Sequence, residues 1–388
     1  MRRICVATST RADWGLLRPV CRELVRRGVK VDIIATNMHL MPRYGHTVDE
    51  ITADGFEVSR RVPIDVEGDD DASRALAMSL CLRGMAQAFA SLAPDAVIIL
   101  GDRYEMLATA SAAAAMHIPI IHIAGGEITV GALDDVFRHA ITKLSHLHLT
   151  ATEDYRRRVI QMGEAPDAVV NTGAIGVWNA FNAPRASDAE LREFLGVDAS
   201  ARLVAVTYHP ATHDSVASPR ARFEALLDAM DAFPRLTYVV TAPNNDAGGN
   251  SLLACASDYA ARRPDNVRLV ASLGMRRYMQ LIHSAVMVLG NSSSGIVEAP
   301  SAGTPTVDIG IRQQGRISAP SVIHCGDSTA DIVAAMRKAL SPEMQLIASR
   351  KENPYAGNGD TLTLMADAVV AFLDALPAKP KLFYDLPQ

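Results

Sequence analysis

The stretch LGNSSSGIVE, residues 289–298, has the form of a buried strand that runs into a tight turn and then a helix. Gly290 and the serines after it predict the turn, and the apolar residues on either side predict the strand and the helix. Backbone N–H groups at a helix start, serine hydroxyls and the positive end of the helix dipole favour an anionic ligand such as a diphosphate. Glu298 falls one turn into the predicted helix, where its carboxylate can accept hydrogen bonds from ribose hydroxyls. An ordinary Ser-capped helix is the alternative interpretation.

Strands and helices alternate along the whole chain on both sides of this turn. Short apolar runs predict strands, and the amphipathic stretches between them predict helices. The predicted strands are 4–7, 31–35, 96–100, 118–123 and 147–150 in the first half, and 203–207, 237–241, 267–270, 286–289 and 306–309 in the second. Such alternation is typical of parallel sheets covered by helices. We therefore predict an α/β protein with two Rossmann-like doubly wound domains facing a cleft.

The length of 388 residues suits two domains of ordinary size. We place an N-terminal Rossmann-like domain at 1–180 and a C-terminal Rossmann-like domain at 181–365. A closing helix and tail at 366–388 is expected to pack back on the N-terminal domain. Doubly wound sheets bind ligands beyond the carboxyl ends of their strands, so we expect the ligand in the cleft and a hinge at 171–184.

The composition excludes several classes of function. A hydrophobic content of 49%, a charged content of 21% and a net charge of −5 fit a soluble enzyme and leave no basic surface for nucleic acid. The 5 cysteines lack Cys-x-x-Cys spacing, so we expect no disulfide framework, no zinc site and a cytoplasmic location. The uncharged run 106–126 is interrupted by His117, Pro119 and His122, and we expect no membrane segment. The sequence also lacks a G-x-G-x-x-G turn after its first strand and a Walker lysine loop.

Three carboxylates of the first half lie at predicted strand ends. Asp102 directly follows the strand 96–100, Glu127 emerges from a pair of glycines after the strand 118–123, and Asp134 begins the next helix. Each has a structural alternative: a helix cap for Asp102, a solvated turn for Glu127, and an i,i+4 ion pair with Arg138 for Asp134. Carboxylates that converge move one another's pKa values apart, which supplies an acid and a base for proton transfer. Metal binding is a rival, but the nearby histidines lack ligand spacing, and we expect no metal.

Cationic and polar side chains follow other strands and suit a phosphate ligand. Arg11 follows the first strand, where it can pair with a phosphate or form a structural pair with Asp13. His209 follows the strand 203–207, where it can bond a leaving phosphate, although a lone histidine is more often structural. The second half adds Asn244 and the run 310–316, whose two arginines suit a diphosphate or a contact that locks the domains together.

Taken in order, these clusters resemble the hydrolysing UDP-N-acetylglucosamine 2-epimerases over essentially the whole chain. The clusters are 9–13 (STRAD), 101–105 (GDRYE), 122–127 (HIAGGE), 134–143 (DDVFRHAITK), 209–210 (HP), 290–295 (GNSSSG) and 312–316 (RQQGR). The segments 353–355 (NPY) and 383–387 (FYDLP) resemble the bacterial branch that makes N-acetylmannosamine for sialic acid. The resemblance implies two Rossmann-like domains of the GT-B type, with UDP held mainly by the second domain.

The resemblance also implies roles for individual residues. The catalytic positions are Asp102, Glu127, Asp134, Arg138 and His209. The positions that bind UDP or the substrate are Arg11, Asp13, His39, Asn244, Asn291, Ser292, Ser293, Ser294, Gly295, Glu298, Arg312, Gln313 and Arg316. Glu127 is the preferred base and Asp102 the preferred acid, although one sequence does not apportion roles among coupled carboxylates. Neither a metal nor another cofactor is expected.

The reaction implied is removal of the C2 proton with loss of UDP, followed by addition of water to the resulting 2-acetamidoglycal, which yields N-acetylmannosamine. A related branch acts on UDP-2,4-diacetamido-2,4,6-trideoxyglucose for legionaminic acid and has overlapping motifs. The non-hydrolysing epimerases usually carry Glu-Glu-x-x-Arg where this chain has DDVFR at 134–138, which favours hydrolysis. A GT-B glycosyltransferase or a nucleotide-sugar sensor would explain the phosphate turn without the carboxylates. The family implies a homodimer or a homotetramer.

Overall fold

The computed structural model of the chain describes residues 1–42, 45–66, 68, 70–130, 133–210, 218–242, 249–357, 359–376 and 380–386. The chain divides into two compact units. Unit 1 comprises Met1–Glu127, Leu133–Ile175 and Tyr355–Gln388, and unit 2 comprises Ile128–Ala132 and Gly176–Pro354.

Unit 1 is built on a seven-stranded sheet whose paired strands run parallel. Its elements in chain order are β1 (Arg3–Thr8), α1 (Arg11–Arg26), β2 (Lys30–Thr36), α2 (Val48–Ala53), β3 (Val58–Val62), α3 (Asp71–Leu92), β4 (Ala96–Leu100), α4 (Tyr104–Ala115), β5 (Ile120–Ile123), α5 (Leu133–Leu144), β6 (Leu147–Thr150), α6 (Glu153–Gln161) and β7 (Val169–Asn171). The strand order is β3-β2-β1-β4-β5-β6-β7. From the neighbouring strands β1 and β4, the sheet is extended toward one edge by β2 and β3 and toward the other edge by β5, β6 and β7. The carboxyl ends of β1 and β4 are therefore the place where a doubly wound sheet opens for a ligand.

Unit 2 repeats the plan with a six-stranded parallel sheet. Its elements are α7 (Ile175–Asn182), α8 (Asp188–Leu195), β8 (Leu203–Thr207), α9 (Pro219–Asp231), β9 (Thr237–Thr241), α10 (Gly249–Ala261), β10 (Val267–Val270), α11 (Gly274–Ser284), β11 (Met287–Gly290), α12 (Ser293–Val297), α13 (Ala299–Ala302), β12 (Thr306–Ile309), β13 (Val322–Cys325), α14 (Thr329–Ala339) and α15 (Pro342–Ser349). The order β10-β9-β8-β11-β12-β13 reverses between β8 and β11. His209 follows β8 and the serine turn follows β11, so both lie at this reversal.

The last helix, α16 (Thr361–Asp374), returns to unit 1, where Arg27 at the end of α1 pairs with Asp367. The segment 380–386 beyond it also belongs to unit 1. Each unit has its own core of buried aliphatic side chains, contributed mainly by the central strands and the inner faces of the helices.

The fold class predicted from the sequence, α/β with two doubly wound Rossmann-like sheets, is confirmed. Three strands were not predicted: β3, β7 and β13. All three lie at sheet edges, where one side of the strand has no neighbouring strand. β3 leaves Arg60 exposed and β13 leaves His324 exposed, so their sequences lack the continuous apolar run of a central strand.

Among the described helices, α3 alone is long and apolar enough to cross a membrane. Its side chains Cys81, Met85 and Phe89 are buried in the core of unit 1. Core helices of soluble proteins pass the same test, so the composition of α3 is weak evidence for a membrane span.

Strands β8 and β11 approach each other closely at Gly290. Its φ of +138° is a conformation that favours glycine, and a Cβ there would overlap the carbonyl of Thr207. Gly28 has a φ of +81° and open space around its Cβ position. We expect Gly28→Ala to cost about 1 kcal/mol of stability from backbone strain, and Gly290→Ala to cost clearly more because strain and overlap add. Urea unfolding of both variants measures the difference, and equal costs would contradict the overlap.

Candidate active site

A buried arginine links the carboxylates of unit 1. The Arg138 side chain, which is 1% exposed, forms an ion pair with Asp102 and a second one of 3.0 Å with Asp135. Its Nη1 also donates to the backbone carbonyl of Glu127 at 3.0 Å. Burial alone would lower the pKa of Arg138, but the negative charges of Asp102, Glu127 and Asp135 outweigh burial and raise the pKa above its ordinary value. The guanidinium therefore stays charged. Arg138 thus ties the loop after β4 to the loop after β5.

Asp135 is a partner of Arg138 that the sequence analysis did not single out. Asp134 and Arg138 were expected to share a helix face at i,i+4. Asp134 lies in the first turn of α5, and the next residue, Asp135, forms an ion pair with Arg138 at i,i+3. Asp135 also lies 3.5 Å from His139. Both spacings place side chains on neighbouring positions of a helix surface, so the sequence alone does not choose between the two aspartates.

His122 holds the backbone next to Asp102. Its Nε2–H donates to the Gly101 carbonyl at 2.8 Å, and its Nδ1 accepts from the Thr142 hydroxyl at 3.2 Å. Burial lowers the pKa of His122 to about 3, so the ring is neutral and these two bonds fix its tautomer. Gly101 itself has a φ of +78°. The sequence analysis included His122 in the HIAGGE cluster without giving it a role.

Two arginines hold the backbone at Glu127. The Arg158 guanidinium from α6 donates to the Gly126 carbonyl, while Arg138 donates to the carbonyl of Glu127 itself. Gly126 has a φ of +81°, and a Cβ there would lie 2.5 Å from the Tyr155 carbonyl oxygen. Sequence reasoning missed Arg158 because it is one of three consecutive arginines in an amphipathic helix, a pattern that usually marks a solvated face.

The loop after β1 has a strong local structure of its own. Helix α1 begins at Arg11, and Thr10 and Asp13 form a capping box. Asp13 accepts hydrogen bonds from the Ser9 and Thr10 backbone N–H groups at 3.1 and 3.0 Å and from the Ser9 hydroxyl at 2.6 Å. Burial raises the pKa of Asp13 and lowers that of Arg11. Asp13 therefore stabilises the start of α1.

His39, which the resemblance placed in the substrate site, is completely buried. Its Nε2 lies 3.0 Å from the Thr8 hydroxyl and its Nδ1 lies 2.8 Å from the Thr47 hydroxyl. Burial lowers its pKa to about 4. The neutral ring therefore links β1 to the start of α2 through both of its nitrogens.

Asn291 organises the phosphate-binding candidates of unit 2. Its Oδ1 accepts from the His209 backbone N–H at 2.7 Å, and its Nδ2 donates to the His209 carbonyl at 2.8 Å. The Asn291 carbonyl in turn accepts from Gln313 Nε2 at 2.8 Å and from Arg312 Nη1 at 3.2 Å. One buried asparagine thus brings together the ends of β8, β11 and β12.

The helix that follows the serine turn is short. Ser292 is the N-cap, and α12 runs only from Ser293 to Val297, so Glu298 lies where α12 ends and α13 begins. A helix of five residues has a small dipole, so its N–H groups and hydroxyls contribute most of any attraction for an anion. Ser293 is exposed, and the Ser294 hydroxyl bonds the Tyr278 hydroxyl.

The close packing around the turn explains its glycines. A Cβ on Gly295 would lie 2.7 Å from Thr306 Cγ2, and the Thr306 hydroxyl donates to the Gly295 carbonyl at 2.7 Å. The Glu298 carboxylate lies against Gly176, where any side chain would overlap it. Arg316 lies in the loop after β12, half-buried, and Asn244 falls outside the described residues. Among the residues described, no group of His, Cys, Asp and Glu side chains is arranged to hold a metal ion.

The model of the UDP-N-acetylglucosamine 2-epimerase family matches residues 22–370 of this chain. The chain belongs to this family. The GDP/UDP-N,N'-diacetylbacillosamine 2-epimerase (hydrolyzing) of Campylobacter jejuni is 36% identical over 89% of each chain. The UDP-N,N'-diacetylbacillosamine 2-epimerase (hydrolyzing) of Legionella pneumophila is 35% identical over 88% of this chain and 89% of its own. The polysialic acid biosynthesis protein P7 of Escherichia coli is 32% identical over 100% of this chain and 98% of its own.

Solved structures of the epimerase family share the fold. The UDP-GlcNAc 2-epimerase from Neisseria meningitidis bound to UDP-GlcNAc has a TM-score of 0.79 at 17% identity and covers 96% of this chain and 100% of its own. A structure described as a UDP-N-acetylglucosamine 2-epimerase from Listeria monocytogenes has a TM-score of 0.78 at 16% identity and covers 98% of this chain and 99% of its own. The family match and the curated relatives make the chain an enzyme of the UDP-sugar 2-epimerase kind.

The buried neutral histidines predict how stability changes in acid. The folded-state pKa of His122 is depressed below its unfolded value, so the unfolded chain binds the extra proton and stability falls as the pH drops below about 6.5. One such group contributes a slope of up to about 1.4 kcal/mol per pH unit. We expect His122→Gln to lose less stability than the wild type between pH 6.5 and 5 in urea unfolding. Exposed His117→Gln serves as the control, and parallel losses in all three proteins would contradict a neutral His122.

Proposed function

We propose that this epimerase converts a UDP-2-acetamido sugar into UDP and the free C2-epimeric sugar, with UDP-N,N'-diacetylbacillosamine as the first candidate substrate. The observation that carries the proposal is the buried Arg138, which holds Asp102 by its side chain and Glu127 by its backbone. Arg138 thereby fixes both loops that carry these carboxyl groups, which are suited to act as acid and base on the same sugar carbon.

The proposed reaction has an elimination step and an addition step. A carboxylate removes the C2 proton while the bond from C1 to the diphosphate oxygen breaks, which gives UDP and a 2-acetamidoglycal. Water then adds its hydroxyl to C1, and C2 receives a proton on the opposite face. The C2–H bond is not beside a carbonyl and is only weakly acidic, so departure of the diphosphate must share the work. No net oxidation or reduction occurs, so the chemistry needs no nicotinamide.

The residues of each unit divide this work in the proposal. In unit 1, Glu127 is the base that removes the C2 proton. Asp102, which is paired with Arg138, takes the second proton of the adding water and delivers it to C2 as the acid. In unit 2, the hydroxyls and N–H groups of residues 292–295 and the guanidiniums of Arg312 and Arg316 stabilise the charge that grows on UDP. His209 donates a hydrogen bond to a phosphate, and Glu298 receives the ribose hydroxyls.

The choice of sugar rests on the relatives. The two relatives with 36% and 35% identity are both named for N,N'-diacetylbacillosamine, a sugar with a second acetamido group at C4 and a methyl group at C6. UDP-N-acetylglucosamine is the second candidate, because the polysialic acid biosynthesis protein matches over 100% of this chain. The sugar then formed would be N-acetylmannosamine, for sialic acid biosynthesis.

Proton NMR in deuterated water tests the reaction and the substrate together. Purified protein is incubated separately with the two UDP-sugars, and both UDP release and the C2 signal are followed. We expect free C2-epimerised sugar that carries deuterium at C2, formed faster from the 2,4-diacetamido sugar. Faster turnover of UDP-N-acetylglucosamine would reverse the order of the candidates. An epimer still joined to UDP would contradict hydrolysis, and no turnover of either sugar would contradict the proposed function.

Replacing the proposed base separates catalysis from nucleotide binding. Glu127→Gln keeps the shape and the backbone bond to Arg138 but removes the basic oxygen. We expect kcat to fall by about 100-fold to 10,000-fold while the Kd for UDP stays unchanged. Calorimetric titration with UDP and the NMR assay measure the two quantities, and the exposed Glu57→Gln is the matched control. Full turnover in Glu127→Gln would remove Glu127 from the mechanism.

Asn291 offers a test of the phosphate site that leaves unit 1 untouched. Asn291→Asp keeps the acceptor for the His209 N–H but replaces the donor to the His209 carbonyl by a negative oxygen. We expect the Kd for UDP to rise on the order of tenfold or more, from lost His209 positioning and charge repulsion. The same change at exposed Asn250 is the control, and an unchanged Kd would mean that UDP binds elsewhere.

A further inference from the structure

Unit 1 contains a buried carboxylate that the proposed reaction does not use. Glu164 is 2% exposed and lies 2.6 Å from Lys143 Nζ, 2.8 Å from Lys381 Nζ and 3.0 Å from His148 Nε2. Burial alone would raise its pKa, but the hydrogen bonds from His148, Lys143 and Lys381 outweigh burial and lower the pKa to about 2. Glu164 is therefore a permanent buried anion that holds three elements together, one of which is the C-terminal segment.

Lys381 of that segment caps helix α5. Its ammonium donates to the carbonyls of Lys143 and Ser145, both at 2.6 Å, and lies 3.4 Å from the carbonyl of Thr142. The last carbonyls of a helix have no partner within the helix and carry partial negative charge, so a cation there is favourable. The carbonyls of Lys143 and Ser145, together with Glu164, saturate the three donors of the ammonium. A residue more than 230 positions away along the chain thus serves as the C-terminal cap of α5.

The rest of the segment 380–386 follows a defined path over the end of α6. The Tyr384 backbone N–H donates to the Gly163 carbonyl at 2.9 Å, and the Phe383 ring lies so close to Gly163 that a Cβ there would overlap it. The Lys143 ammonium lies 4.9 Å from the centre of the Phe383 ring, within cation–π range. Leu382 is 78% exposed between these contacts, so the segment is held by Lys381, Phe383 and the Tyr384 backbone.

Helix α5 connects this cap to both proposed catalytic loops. Arg138 of α5 bonds Asp102 and the Glu127 carbonyl. Thr142, in the last turn of α5, bonds His122, which in turn bonds the Gly101 carbonyl beside Asp102. Both connections depend on where α5 lies along its axis, and its C-terminal end is fixed by Lys381.

We propose that Lys381 is a positioning residue for the proposed 2-epimerase reaction: through its cap on α5 it keeps Asp102 and Glu127 in place for proton transfer at C2. The inference rests on the proposed function for its chemistry and on the contacts of unit 1 for its geometry. Displacement of reacting groups by about 1 Å can cost on the order of 100-fold in rate, so a loosened helix is sufficient to lower turnover.

The central experiment compares Lys381→Met, Lys381→Arg and Leu382→Ala in the full-length protein. Methionine keeps most of the side-chain length without the charge, arginine keeps the charge, and Leu382→Ala changes an exposed neighbour in the same segment. We expect Lys381→Met to lower kcat at least about tenfold with the Kd for UDP within about twofold of the wild type. Lys381→Arg should restore most of kcat, and Leu382→Ala should behave as the wild type.

Hydrogen exchange measured by mass spectrometry gives a readout that does not depend on turnover. In Lys381→Met, amide exchange should accelerate in the loops 101–104 and 124–128 and at the end of α5, and it should not change in the strands of unit 2. Phe383→Ala, a milder change in the same segment, should give the same pattern with a smaller effect. It keeps the test open if Lys381→Met does not fold.

The outcomes separate this proposal from the function on which it rests. Unchanged exchange in the two loops, or a loss of UDP affinity equal to the loss of kcat, would overturn the positioning role. Full kcat in a Lys381→Met protein with reduced stability would also overturn it, since the cap would then be structural only. If the wild type turns over neither UDP-sugar, the proposed function fails, while accelerated loop exchange in Lys381→Met would still support the link from Lys381 to the loops.

Discussion

The structure of unit 1 depends on the need to compensate one buried positive charge. The Arg138 guanidinium is almost completely enclosed, and its Nη1 and Nη2 groups bond Asp102, Asp135 and the carbonyl of Glu127. Removing one partner of a buried charge pair typically costs about 3–5 kcal/mol, so none of these groups is free to move independently. Helix α5 therefore holds the loop after β4 and the loop after β5 in place together.

In unit 2, the neutral side chain of Asn291 fixes the strand ends. Asn291 satisfies the backbone N–H and carbonyl of His209 with its amide, and its own carbonyl is bonded by Gln313 and Arg312. One neutral side chain therefore fixes the ends of β8, β11 and β12.

Much of the fold was predictable from the sequence because central parallel strands are buried on both faces and must be continuously apolar. The inner strands of both sheets followed this pattern, and so did the edge strand β10. The edge strands β3, β7 and β13 did not. The candidate site was predictable as a set of loops, since polar residues directly after such strands must lie at one edge of a sheet. Which residue bonds which was not predictable: Asp135 and Asp134 are one position apart, and both spacings reach Arg138.

The sequence by itself determined the two doubly wound sheets, the loops that carry polar groups and the family, because strand periodicity and motif order are local properties of the chain. Only the tertiary structure decided that His122 is neutral, that Arg158 holds Gly126, and that Lys381 caps helix α5. Each of these facts depends on burial or on contacts between residues far apart in the sequence. Such contacts arise from packing, which no local pattern of side chains specifies.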